Sequence, residues 1–152
     1  MIKSLSKFVR RGFASPSTGL TTMNFNIKAK GTNDVILETP EGDLLLKEPI
    51  KVAVASLAGC ELHTMNFHAR KRNIKIEGVT ISGVSATIDL EGFKGTEGHT
   101  ADIKEVTMKL DIQTPGNASD VEQLHKDVAK HCFVYNLFSK AGVKMNIQFR
   151  KA

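Results

Sequence analysis

Pro49–Arg72, PIKVAVASLAGCELHTMNFHARKR, is the stretch around which the chain is organised. A run of small and apolar residues leads to Cys60, after which the segment turns polar and closes on three cations. Val52, Ala55, Gly59, Leu62, Asn66 and Ala69 recur at steps of three and four, a spacing that predicts a helix with those residues on one face. Ala53, Ala55, Ala58 and Gly59 allow close approach by other backbone. Val52, Val54 and Leu57 make the first half apolar nearly all round, so a buried central helix is expected. Pro49 suits a first turn. Arg70, Lys71 and Arg72 complement the negative end of the helix dipole, and Asn73 ends the helix.

Cys60 sits where the apolar half gives way to the polar one, and it is the first candidate for chemistry. His63 lies one turn further on the same face, where an imidazolium would favour a thiolate; a histidine at the polar margin of a core fits the same position. Glu61 should point away from the cysteine, solvated or paired.

Working back from this helix, Met23, Phe25, Ile27 and Ala29 alternate with polar residues as in a half-buried strand. Turns at Gly31–Asp34 and Pro40–Asp43 separate two short strands, Val35–Leu37 and Leu44–Leu46, which predicts an antiparallel meander. Working forward, Val79–Leu90 is rich in β-branched residues, with Gly83 at a bulge or close approach. Glu91–His99 carries three glycines and reads as a loop. Val106, Met108, Leu110 and Ile112 then alternate as a strand, reached most simply by a hairpin.

Ser119-Asp-Val-Glu122 has the form of a capping box. Val121, Leu124, Val128 and Cys132 follow at helical spacing, so the second cysteine belongs near the end of a helix on its buried face. Phe133–Lys140 continues as helix and stops at Gly142. Val143, Met145, Ile147 and Phe149 form a last strand. Strands on either side of a helix, then a helix pair and a closing strand, make an α+β domain.

Charge narrows the function. The chain of 152 residues carries 21 Lys and Arg against 16 Asp and Glu. Lys3, Lys7, Arg10 and Arg11 lie in the first eleven positions, and no acidic residue precedes Asp34. The remainder is nearly neutral and offers no footprint for nucleic acid; one Tyr and no Trp make a poor stacking platform for single strands. The amphipathic, acid-free, Ser-containing tail has the composition of a mitochondrial transit peptide. The expected organisation is a transit peptide at 1–14, a Pro/Ser/Thr/Gly linker at 15–21 and one domain at 22–150, which places the mature protein in mitochondria, within the matrix. The tail is too short and polar to span a bilayer.

Two cysteines do not make a secreted disulfide framework. In a reducing compartment Cys60 and Cys132 are either two buried thiols or a redox couple. With His63 and His131 they add up to a zinc ligand set. His131 and Cys132 are adjacent, however, and leave a helix on different sides, so no metal is expected. The glycines at Gly92–Gly98 lack nucleotide-binding spacing.

Leu57-Ala-Gly59-Cys60 in a buried helix, Ile76-Glu77-Gly78-Val79 just after it, and His131-Cys132-Phe-Val-Tyr-Asn-Leu137 near the end together resemble the OsmC/Ohr-like family, in its OsmC-like branch. The likeness runs from about Thr21 to Phe149. It implies an intertwined homodimer in which antiparallel sheets wrap a long central helix. It also implies reduction of organic or lipid hydroperoxides with no bound cofactor. On this resemblance Cys60 is the peroxidatic thiol, Cys132 the resolving thiol, and a dithiol reductant the co-substrate.

The family's peroxidases place a Pro-Glu pair before the first cysteine, with the Glu orienting an Arg. Here Pro49 is followed by Ile50, the nearby carboxylate is Glu48, and no arginine lies between Arg11 and Arg70. Phe133 takes the place of the proline after the second cysteine. The alternative implied is a non-catalytic OsmC-like binding or assembly subunit of a larger mitochondrial complex.

Overall fold

The computed structural model describes Met23, Asn26–Lys30 and residues 34–152. The segments read as transit peptide (1–14) and linker (15–21) lie outside the described residues, as do parts of the first alternating stretch. The chain divides into two compact units, one ending at Leu46 and one beginning at Lys47.

The first unit holds the expected meander. Strands β1 (Asn26–Lys30), β2 (Asp34–Glu38) and β3 (Leu44–Leu46) pair antiparallel in that order. Ile27 lies opposite Leu37, and Ile36 opposite Leu45. Lys28 and Glu38 form an ion pair between β1 and β2.

The second unit begins with helix α1, Pro49–Lys71. Glu48 enters it in the left-handed region (φ 52°), and Asn73 leaves in the same region (φ 58°). The chain turns away there as the sequence indicates. The buried face differs from the expected one: Val54, Leu57, Glu61, Met65 and Ala69 point inward, while Ala55 and Gly59 are exposed. Burial gain scales with apolar area, so the rotation that covers Leu57 and Met65 wins over one that covers small residues. Within the second unit the helix therefore keeps one face open.

Strand β4 (Gly78–Ile88) pairs antiparallel with β5 (Ile103–Gln113). Its register shifts between Ser82 and Ser85, at Gly83 with φ 58°, so the bulge read from that glycine is present. The connection is not wholly loop, because Leu90–Lys94 forms a short helix, α2. Asp89 caps it by accepting the Gly92 N–H at 2.9 Å, and Gly95 closes it at φ 80°. A Cβ on Gly92 would run into the backbone of Thr100 and Ala101. Backbone cannot step aside as a side-chain tip can, so Gly92→Ala is expected to cost about 1–3 kcal/mol, read by urea unfolding.

Helix α3 spans Ala118–His131 and α4 Phe133–Lys140; strand β6, Lys144–Lys151, completes the sheet. The capping box lies two residues earlier than Ser119 and Glu122. Asn117 accepts the Asp120 N–H at 2.9 Å, and Asp120 accepts the Asn117 N–H at 2.8 Å. Glu122 pairs instead with Lys126 at 2.7 Å. The sheet order is β4-β5-β6, and β6 runs parallel to β5. This departs from the all-antiparallel expectation, because the α3–α4 crossover returns the chain in the same direction. Val106, Met108, Leu110 and Ile112 of β5 are fully buried. Val106, Met108 and Leu110 belong to a cluster around Leu57 and Phe138, and Ile112 to a second around Met65, Leu124 and Cys132.

Candidate active site

The sheet and α3 bring the two cysteines together from 72 positions apart. Cys60, midway along α1, is partly exposed. Cys132 is wholly buried at the joint between α3 and α4. Its N–H still donates to Val128 at 2.8 Å, while its φ −76° and ψ 121° break the helix and start the next. The sulfur occupies the place of a capping oxygen, accepting the Tyr135 N–H at 3.4 Å. A helix N-terminus favours a thiolate, but desolvation outweighs it here: burial pushes the Cys132 thiol up to about 11, against the pull of the Tyr135 N–H. The Cys60 thiol lies within hydrogen-bonding reach and also holds the Cys132 proton in place. At neutral pH the inner partner is a thiol. Both cysteines are free.

The auxiliary candidates do not join them. Glu48 stands at the first turn of α1, ion-paired with Lys51, about 18 Å of helix rise from Cys60. His63 is exposed, with no hydrogen bond or ion pair among the described residues. Arg72 and Arg150 are held by Asp127 and Asp111 rather than at the thiols. Among the described residues no group of three or more His, Cys, Asp or Glu is arranged to hold a metal.

Glu61 is where the sequence reading fails. It is 0% exposed, neither solvated nor paired, and both carboxyl oxygens lack a hydrogen-bond partner. Burial pushes its acid up to about 7. Its turn-spaced neighbours Leu57 and Met65 belong to different core clusters, so it sits at their junction. Tyr135, packed against both clusters, has its hydroxyl acid raised first by burial and then by Glu61. The phase Leu57, Glu61, Met65 was available in the sequence; a carboxylate is simply the last residue expected on a core face.

A second polar group ties α1 to α3. Asp127, 7% exposed, accepts from Arg72 Nε at 2.5 Å and Nη2 at 3.0 Å, and from Gln123 at 3.3 Å. The Arg72 guanidinium holds its acid below the usual carboxylate range. His68 approaches to 3.8 Å and stacks on His131 with ring centroids 4.8 Å apart. Burial lowers the His68 pKa more than Asp127 raises it, so this contact is not an ion pair at neutral pH. Beside Cys132 an open depression of about 770 Å³ runs along α4, with Lys130, Phe133, Leu137 and Lys140 on its walls.

Residues 46–148 match the family model described as OsmC-like protein. A Mycoplasma pneumoniae protein named hydroperoxide reductase is 24% identical over 102 residues, covering 65% of this chain and 67% of that one. The same fold occurs in an OsmC-like protein from Mycoplasma pneumoniae, with TM-score 0.74 and 17% identity over 87% of this chain and 98% of the other. It occurs again in an organic hydroperoxide resistance protein from Legionella pneumophila, with TM-score 0.62 and 17% identity over 86% and 99%.

Proposed function

Because this chain belongs to the OsmC-like protein family, we propose that it is a thiol-dependent peroxidase acting on organic hydroperoxides, lipid hydroperoxides among them. The observation that carries this is the pairing of a half-open Cys60 with a sealed Cys132 within hydrogen-bonding reach. The names of the Mycoplasma relatives support it. Cys60 as thiolate attacks the distal peroxide oxygen; the O–O bond breaks and the alkoxide leaves as alcohol on taking a proton. Cys60 is now a sulfenic acid. Cys132 sulfur attacks the Cys60 sulfur and expels hydroxide, which leaves as water with the Cys132 proton, and a disulfide remains. An external dithiol returns both thiols. The exposure gradient suits the order, because peroxide meets the outer sulfur while the resolving one is sheltered from side oxidation.

Mixing reduced protein with cumene hydroperoxide is expected to consume two thiols per peroxide. Cys60→Ser should abolish turnover by at least about 10³-fold, and Cys132→Ser should stop after one sulfenic acid per chain. Two thiols that persist unchanged would defeat the proposal.

The tail composition supports mitochondrial import, with the mature chain beginning near Ala14 or Ser15. A homodimer suits the exposed Phe67 of α1 with the small Gly59 and Ala55 about two and three turns before it. One observation favours the second reading, a non-catalytic assembly subunit: Glu48 is paired with Lys51, and Ile50 stands where the family's peroxidases place their carboxylate. A stoichiometric mitochondrial partner retained by Cys60→Ala, with no peroxide consumed by wild type, would select it.

A further inference from the structure

The mechanism above leaves Glu61 unused, although it is the one buried side chain whose polar atoms have no partner among the described residues. It follows Cys60 directly in α1, with Cα atoms about 3.8 Å apart. Across from it stands Tyr135, whose N–H binds the Cys132 sulfur. Among the described residues no lysine or arginine pairs with Glu61, and His125 of α3 stacks on Phe149 instead. β5 presents Val106, Met108, Leu110 and Ile112, and β6 presents Ile147. α4 presents Tyr135, and its joint with α3 presents Cys132. From α3, Asp127 and His131 meet α1 at Arg72 and His68, two to three turns further along.

We propose that Glu61 is a positioning residue for the dithiol, one that competes with Cys60 for the single negative charge this part of the core can hold. Glu61 is buried without a partner and the half-exposed Cys60 is the next residue, so anions on both repel, the more so because one of them is out of water. While Glu61 keeps its proton, Cys60 becomes a thiolate more readily; once Glu61 ionises, the thiolate is disfavoured. Burial raises the carboxyl into the neutral range, so this competition falls where the protein works. The linkage runs both ways. Once Cys60 is in a disulfide it carries no charge, and burial alone then opposes the ionisation of Glu61.

The proposal rests on reading Cys60 as the reactive thiol, but its test uses no peroxide. The rate of Cys60 alkylation by iodoacetamide is measured against pH for the full chain as wild type, Glu61→Gln and Glu61→Met, each checked for folding by circular dichroism. Both variants are expected to reach half-maximal rate about one pH unit below wild type, and the shift should survive high salt, since a buried charge is poorly screened. Superposable profiles, or a shift that salt removes, would overturn it. Should one variant not fold, the other decides. Absent peroxidase activity together with shifted profiles would sink the proposed function and leave this coupling standing; active enzyme with superposed profiles would do the reverse.

Discussion

At pH 8, replacing Glu61 with glutamine is expected to stabilise the domain by about 3 kcal/mol, an unusual outcome for a change in the middle of a core. The folded carboxyl is pushed up to about 7 from an ordinary 4.5, and burial is the cause. Below the unfolded value both states hold the proton, and glutamine and glutamic acid cost the interior about the same. As pH rises from there the unfolded chain releases its proton while the folded chain keeps it, so stability is lost with rising pH. The loss is complete above the folded value. Glutamine has no proton to lose, and its advantage therefore grows over that window and then levels off. In melting temperature the difference should be about 5–10 °C at pH 8 and close to nil at pH 4.5. Equal melting temperatures for both proteins at both pH values would show that the carboxyl is hydrated or paired in solution.

The opposite sign is expected at Asp127. Arg72→Ala should cost about 3 kcal/mol at neutral pH, because it leaves a carboxylate that is mostly out of water without its bidentate partner. Asp127→Ala should cost less, about 2 kcal/mol, since the Arg72 side chain is 42% exposed and can return to water. Arg72 holds the Asp127 acid below its ordinary range, so the contribution of this pair is present at neutral pH. It fades as pH falls through the depressed folded value. In Arg72→Ala that acid-side loss should disappear. Urea unfolding of the two single variants and the double variant checks this; the double should cost no more than Arg72→Ala alone, because the two residues act as one unit. Additive costs would mean that each has some other partner.

The two carboxylates also explain which parts of this protein could be read before its structure. Strong periodicity was legible: Val106 to Ile112 announces a half-buried strand, and Val121, Leu124, Val128 and Cys132 an amphipathic helix ending on a buried thiol. The existence and ends of α1 were legible from Pro49 and Asn73. Its rotation was not. In a segment apolar on several sides, periodicity allows more than one phase, and the choice falls to the partner surfaces, here β5 and α3. That ambiguity of phase concealed Glu61. The capping box was misplaced for a related reason, since Asn117 and Ser119 are both good caps and only the exit of the chain after Pro115-Gly116 chooses between them. Cys60 and Cys132 were legible as candidates, whereas Glu48, the carboxylate nearest the family's Pro-Glu position, and His63, one helical turn from Cys60, lie on the surface.

The parallel pairing of β5 with β6 has a consequence for how the chain is made. Ile103–Gln113 is hydrogen-bonded along one edge to Lys144–Lys151, some thirty residues further along the chain, so that edge has no partner until β6 has left the ribosome. During synthesis β5 can zip onto β4 early, through their local hairpin, but it must wait with Val106 to Ile112 uncovered while both helices of the crossover are still being made. Such late, non-local closure is slow, and the waiting edge is open to pairing with other chains. The nascent chain is therefore vulnerable to aggregation while the span from the end of β5 to the end of β6 is being made.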